Sequence, residues 1–148
     1  MSDKITFHHL EASRSLKVIV SCLRARILRA ASVAEAASPS HRPSGRQKWL
    51  AEFLGVPYEL ITYSRDPNTK YAKDRDALVA VHPLGRSPVM TVDVAGGERL
   101  TVAEGGAIMT YLLEHYGKAG VPKLSDKTAA AQDLNFWIQF GESECAPY

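Results

Sequence analysis

Two places in this chain bring together residue types suited to holding a carboxylate or an extended peptide. At Glu104-Gly105 a β-like run passes directly into a helical one. Backbone N–H groups at such a junction lack intrahelical partners and carry the positive end of the helix dipole, so they suit an anion. An ordinary helix start with an acidic first turn is the alternative. At Arg86-Ser87-Pro88 a guanidinium precedes a proline at the mouth of a strand. Arginine can grip a carboxylate bidentately, or simply be a solvated surface charge. The proline is either a trans opening of an edge strand or a cis bond, which its tertiary amide allows at low cost. Ser13 and Ser15 follow the first β-like run, where either hydroxyl fits a helix N-cap. His8 and His9 have no metal partner at ligand spacing and read as structural. Cys22 and Cys145 form no CxxC or disulfide framework, which fits a reducing compartment.

Elements must hold these residues in place. Ile5 to Leu10 reads as a strand, and Leu16 to Ala37 has helical apolar spacing. Arg46 to Leu54 is a helix with Trp49, Leu50, Phe53 and Leu54 expected on one face; Gly55 is its stop and Pro57 forbids continuation. Tyr58 to Tyr63 reads as a strand, and Arg75 to Val81 as one or two helical turns. Ser87 to Val94 and Arg99 to Val102 form a hairpin about Ala95-Gly96-Gly97-Glu98. A helix over Ala103 to Tyr116 carries Ile108, Met109, Leu112 and Leu113 as its apolar stripe. Ser125 or Asp126 can cap a last helix through Leu134, Trp137, Ile138 and Phe140. The order is a βαβ unit, then a hairpin and a helix. That is the thioredoxin-like layout, an α/β fold with a mixed four-stranded sheet.

Composition narrows the function classes. The 148 residues are 45% hydrophobic and 23% charged, a globular balance for about one domain. A formal charge of +2 is too weak to argue nucleic acid. No apolar run approaches the ~18 residues of a membrane span, and residues 1–15 show no signal-peptide pattern. The basic excess sits in one segment: within 16–45, Lys17, Arg24, Arg26, Arg29 and Arg42 face Glu35 alone. That segment is rich in alanine and serine and ends in a loop-like Ser38-Pro39-Ser40-His41-Arg42-Pro43-Ser44-Gly45.

Four stretches together resemble the amino-terminal domain of the soluble glutathione transferases. They are His9-Leu10-Glu11-Ala12-Ser13-Arg14-Ser15, then Trp49-Leu50-Ala51-Glu52-Phe53-Leu54-Gly55-Val56-Pro57-Tyr58-Glu59-Leu60. The others are His82-Pro83-Leu84-Gly85-Arg86-Ser87-Pro88-Val89-Met90 and Leu100-Thr101-Val102-Ala103-Glu104-Gly105-Gly106-Ala107-Ile108-Met109-Thr110-Tyr111-Leu112. The likeness covers roughly residues 4–15 and 46–148 and looks most like fungal or bacterial members. It implies that glutathione is the substrate and that no metal takes part. It implies a cis Ser87-Pro88 bond whose neighbouring backbone pairs with the tripeptide like an added strand. It places the glutamyl end of glutathione at Glu104 and Gly105, and a contact to glutathione at Arg86. It gives Ser13 the hydroxyl that hydrogen-bonds the glutathione sulfur and favours thiolate over thiol.

The pattern is broken in three places. Relatives carry Glu-Ser where this chain has Glu104-Gly105, so one hydroxyl donor to a charged group is missing, worth about 1.5–3 kcal/mol if nothing replaces it. Relatives run from Ser-Arg-Ser almost directly into the Arg-x-x-Trp-Leu helix, whereas here residues 16–44 intervene. Those residues are either a tolerated insertion, since closure entropy grows slowly with loop length, or sequence that never evolved to pack here, such as translated non-coding sequence. Relatives also continue into a helical domain that supplies the electrophile pocket. The expected organisation is therefore a thioredoxin-like domain over 1–117, interrupted at 16–44, with 118–148 as linker and first helix of a truncated helical domain. Trp137, Ile138 and Phe140 are then expected to lack partners and leave an apolar patch. The implied activity is attack of glutathione thiolate on a small electrophile, in the cytoplasm, by a homodimer in the full-length parent. This chain is expected to be weakly active or inactive. A non-catalytic module binding glutathione or a protein is the alternative.

Overall fold

A computed structural model of the chain describes residues 3–10, 46–69 and 71–143. The helix expected over Leu16 to Ala37, and Ser13 itself, lie outside the described residues. The elements are β1 (Lys4–Leu10), α1 (Arg46–Leu54), β2 (Tyr58–Tyr63), α2 (Arg75–Val81), β3 (Val89–Asp93), β4 (Arg99–Ala103), α3 (Gly105–Tyr116) and α4 (Ala129–Ser143). The four strands form one sheet in the order β2-β1-β3-β4. β1 pairs with β2 in parallel, and β1–β3 and β3–β4 are antiparallel. This is the mixed four-stranded α/β architecture that the element order implied.

Strand period decides the core. Ile5 pairs with Tyr58 and Val92, and Phe7 with Leu60 and Met90, so one face of the sheet is apolar in register. That face packs on Leu50, Ala51 and Leu54 of α1 and on Ile108, Met109, Leu112 and Leu113 of α3, the four residues expected as its stripe. Phe7 meets Tyr58 edge-to-face with ring centroids 5.1 Å apart. On α1 the buried stripe is Gln47, Leu50, Ala51 and Leu54, while Trp49 and Phe53 are only half-buried. The i, i+3, i+4, i+7 spacing explains the rotation from the expected face.

Three expectations need correction. α3 starts at Gly105, two residues later than expected, because Glu104 sits at φ 76°, ψ 138°, outside helical geometry. α4 starts at Ala129, and its cap is Thr128 rather than Ser125 or Asp126. The Thr128 hydroxyl accepts from Ala131 N–H at 3.2 Å. Ser125 is instead engaged by Glu114, whose carboxylate accepts from its N–H at 2.7 Å and its hydroxyl at 3.1 Å. Ile138 and Trp137 do not lack partners: Ile138 is 2% exposed and belongs to the main core with Leu134, and Trp137 packs against that core, donates to Asp133 Oδ1 at 3.2 Å and meets Phe140 edge-on at 5.6 Å. The exposed member of the helix's aromatic group is Phe136, which stacks on Phe140 at 5.7 Å.

Candidate functional site

The loop before β3 is anchored by a serine hydroxyl. The Ser87-Pro88 peptide bond is cis. The β1–β3 ladder ends at His8↔Val89, and Pro88 has no N–H to extend it. Ser87 continues the pairing with its side chain. Its Oγ accepts from Leu10 N–H at 3.1 Å and donates to His8 C=O at 3.2 Å. Ser87 is thus tied to the carboxyl end of β1. Gly85, at φ 55°, makes the turn that delivers the loop, and its N–H donates to His82 C=O at 2.9 Å. Arg86 is exposed beside it.

The junction of β4 and α3 lies directly across from this loop. Glu104 N–H donates to Pro88 C=O at 3.2 Å, so the two candidate places are neighbours through one backbone bond. Glu104 holds a left-handed φ without being glycine. Such a conformation costs of the order of 1–3 kcal/mol and survives only where its surroundings enforce it. The enforcing contacts are the Pro88 bond on one side and the helix on the other, where Glu104 C=O accepts from Ile108 N–H at 3.0 Å. The Glu104 side chain makes no cap on the helix. The first-turn N–H groups of α3, at Gly105 and Gly106, therefore receive no acceptor from their own N-cap. Both glycines are buried.

The structure brings Arg86, Ser87, Pro88, Glu104 and Gly105 to one end of the sheet. Ser13 is outside the described residues. A shallow depression at this end is lined by His9, Gln47, Lys48, Leu60 and Pro88 among others. Gln47 was not singled out from sequence. Its signal was available, because it falls on the buried stripe of α1 in register with Leu50, Ala51 and Leu54. A polar residue there breaks the pattern. Behind β1 on the other face, His8 Nδ1 shares a hydrogen bond with Tyr63 Oη at 2.9 Å. Burial, and secondarily the charge of Arg99, push the His8 pKa below the usual histidine value. Among the described residues no group of three or more His, Cys, Asp or Glu is arranged to hold a metal. Nor is any helix there long and apolar enough to cross a membrane.

Comparison with known proteins places this geometry. The model of the glutathione S-transferase N-terminal domain matches residues 39–114. Glutathione S-transferase 1 of Saccharomyces cerevisiae is 32% identical over 72% of this chain and 44% of its own length. Glutathione S-transferase 3 of Schizosaccharomyces pombe is 26% identical over 97% of this chain and 43% of its own length. A crystal structure of a glutathione S-transferase from Actinobacillus pleuropneumoniae superposes with a TM-score of 0.54 at 31% identity. It covers 90% of this chain and 45% of that one. A glutathione transferase from Phanerochaete chrysosporium, solved with oxidized glutathione, shares the fold alone. Its TM-score is 0.56 at 19% identity, over 95% of this chain and 49% of that one. The chain spans less than half the length of each of these relatives. With the domain model matching over half of its residues, the chain belongs to the glutathione S-transferase family and carries that family's N-terminal thioredoxin-like domain.

Proposed function

We propose that this chain holds glutathione at the end of its sheet, as the substrate-activating half of a transferase. The observation that carries the reading is the bond from Glu104 N–H to Pro88 C=O, which sets the two candidate subsites side by side. In this reading the tripeptide backbone pairs with the chain at Ser87, as an added strand would. The γ-glutamyl head lies at the start of α3, where the N–H groups of Gly105 and Gly106 and the helix dipole favour its carboxylate. Arg86 provides a charge for the opposite carboxylate of the peptide. Ser13 donates a hydrogen bond to the sulfur, which favours thiolate at neutral pH. The thiolate then attacks an electrophilic carbon. A C–S bond forms and the displaced electron pair leaves with the leaving group or moves onto the electrophile. Pairing into a homodimer and residence in the cytoplasm are part of the same proposal.

A second reading, binding without turnover, draws support from Gly105, which lacks the hydroxyl expected beside the helix start. The test is capture on immobilised glutathione, with elution by free glutathione. It is run on the full chain and on a version lacking 16–44, beside conjugation of 1-chloro-2,4-dinitrobenzene. Specific capture with turnover that disappears in Ser13→Ala supports the transferase reading. Capture without turnover supports the binding module, and absence of capture by both versions overturns both.

A further inference from the structure

The two edges of the sheet are finished differently. β4 closes one edge, and the side chains it exposes are polar: Arg99, which is paired with Asp93, and Thr101. β2 closes the other edge, and there Glu59, Leu60, Ile61 and Thr62 are all exposed. Leu60 is 40% exposed and Ile61 42%, two of the six large apolar side chains left open among the described residues. They are consecutive, so they stand on opposite faces of the sheet. A helix laid on either face would cover only one of them. A strand added along the edge would cover both. β2 also lacks the devices that keep an edge strand from pairing, for it contains no proline, lysine or arginine. Its single charge, Glu59, is paired with Lys4 of β1 at 3.1 Å. The open stretch has definite ends. Pro57 before it has no N–H. Beyond it, Ser64 C=O accepts from Lys73 N–H at 2.9 Å and Asp66 N–H donates to Tyr71 C=O at 2.8 Å.

We infer that β2 pairs edge to edge with β2 of a second copy of this chain, antiparallel across a two-fold axis. Two four-stranded sheets then join into one continuous sheet. This gives the homodimer proposed above its contact surface, and it does not depend on glutathione. A two-fold axis normal to the sheet sets one residue against its own copy, with the others paired symmetrically about it. Charge and length narrow the choice of centre. A centre at Glu59 would oppose two carboxylates, and a centre at Tyr58, Thr62 or Tyr63 would leave most of the strand unpaired. A centre at Leu60 sets Leu60 against its copy, Tyr58 against Thr62 and Glu59 against Ile61. A centre at Ile61 sets Ile61 against its copy, Leu60 against Thr62 and Glu59 against Tyr63. Either register covers both aliphatic side chains and opposes no like charges, so the strand is complementary to itself.

The test is sedimentation velocity of the full chain over a concentration series. One short strand makes a small contact, so the wild type is expected to be a dimer that dissociates on dilution. Leu60→Lys and Leu60→Glu each place like charges opposite or diagonal to one another across the axis. Each is expected to weaken the dimer at least about 10-fold. An equimolar mixture of the two is expected to restore it as a heterodimer, which a misfolded variant could not do. The register is read by mild oxidation of Leu60→Cys and Ile61→Cys, each in a chain with Cys22→Ser and Cys145→Ser. A disulfide-linked dimer in one of them supports the pairing and fixes its centre, and none in either overturns it. A wild-type dimer that neither charge weakens overturns this contact and leaves the homodimer standing on another surface. A chain that stays monomeric at every concentration overturns both and leaves the glutathione-holding reading untouched.

Discussion

The two faces of the sheet are built unequally. Against α1, α3 and α4, fourteen buried residues among those described form one continuous cluster. On the α2 side only Leu10, Ala72 and Leu78 do so among the described residues, with Tyr63 packed beside them. Apolar burial is the main favourable term in folding, so the first face carries the stability. The second face carries positioning. It holds the carboxyl end of β1 and the loop through Gly85 to Pro88, largely by hydrogen bonds. The candidate site lies where the two meet. The thick face places Gly105 and Gln47, and the thin face places Ser87 and Pro88.

That contrast is broken most directly by equal truncations on the two sides. Leu112 is fully buried in the thick cluster and Leu78 is 1% exposed in the thin one. Leu112→Ala is expected to cost toward the upper end of the about 2–5 kcal/mol range for such deletions. Leu78→Ala should fall near the lower end, because few neighbours lose contact and α2 has room to settle. Denaturant unfolding midpoints of both variants measure this. Equal losses would show that the thin face is a second core.

The next effect in size tests whether the thin face positions by hydrogen bonding. Ser87→Ala leaves Leu10 N–H and His8 C=O without their side-chain partner. Stability is expected to drop by about 1–3 kcal/mol, the cost of unpaired groups in a half-buried setting. Glutathione binding is expected to fall further than the folded fraction does, because Pro88 is no longer fixed against β1. Unchanged binding in the folded fraction would mean that the loop is held by other contacts.

The thick face was the legible one in the sequence. Alternation at Ile5 and Phe7, and the stripe Ile108, Met109, Leu112 and Leu113, needed only strand and helix period. The boundaries of α1, β2 and α2 fall where Gly55, Pro57 and His82-Pro83 punctuate the chain. The site was legible only in part. Local composition marks Glu104-Gly105 and Ser87-Pro88, but no local rule joins residues as far apart in the chain as Pro88 and Glu104 through a backbone bond. Glu142 was missed for the same reason, whereas Gln47 was missed although its place on the buried stripe of α1 was a local signal. They reach Gly105 from two other helices, and their meeting is a property of packing. The cap of α4 was misplaced because serine, aspartate and threonine all lie within four residues at 125–128 and any of them can accept from a helix start.

The smallest effect sharpens the comparison through pH. His8 is 7% exposed on the thin face, sharing a hydrogen bond with Tyr63 and stacked on its ring at 6.0 Å. Burial and the Arg99 charge lower its pKa in the fold, while the unfolded chain keeps a value near 6.5. Below that value the unfolded state binds the proton more readily than the folded one. Stability is therefore full above pH 6.5 and declines as pH falls toward the folded pKa. One proton sets a ceiling of about 1.4 kcal/mol per pH unit on the slope. His8→Gln is expected to be less stable than wild type at pH 7.5 but to lose less between pH 7.5 and 5.5. The difference between the two slopes isolates His8 from the other histidines. The charge would enter beside Tyr63, next to the strand end that Ser87 holds. The acid loss should therefore appear in glutathione affinity before the thick face unfolds, measured as binding at pH 5.5 to protein whose far-UV circular dichroism is still native. A parallel loss of both signals would mean that the two faces melt as one unit and that positioning has no separate stability.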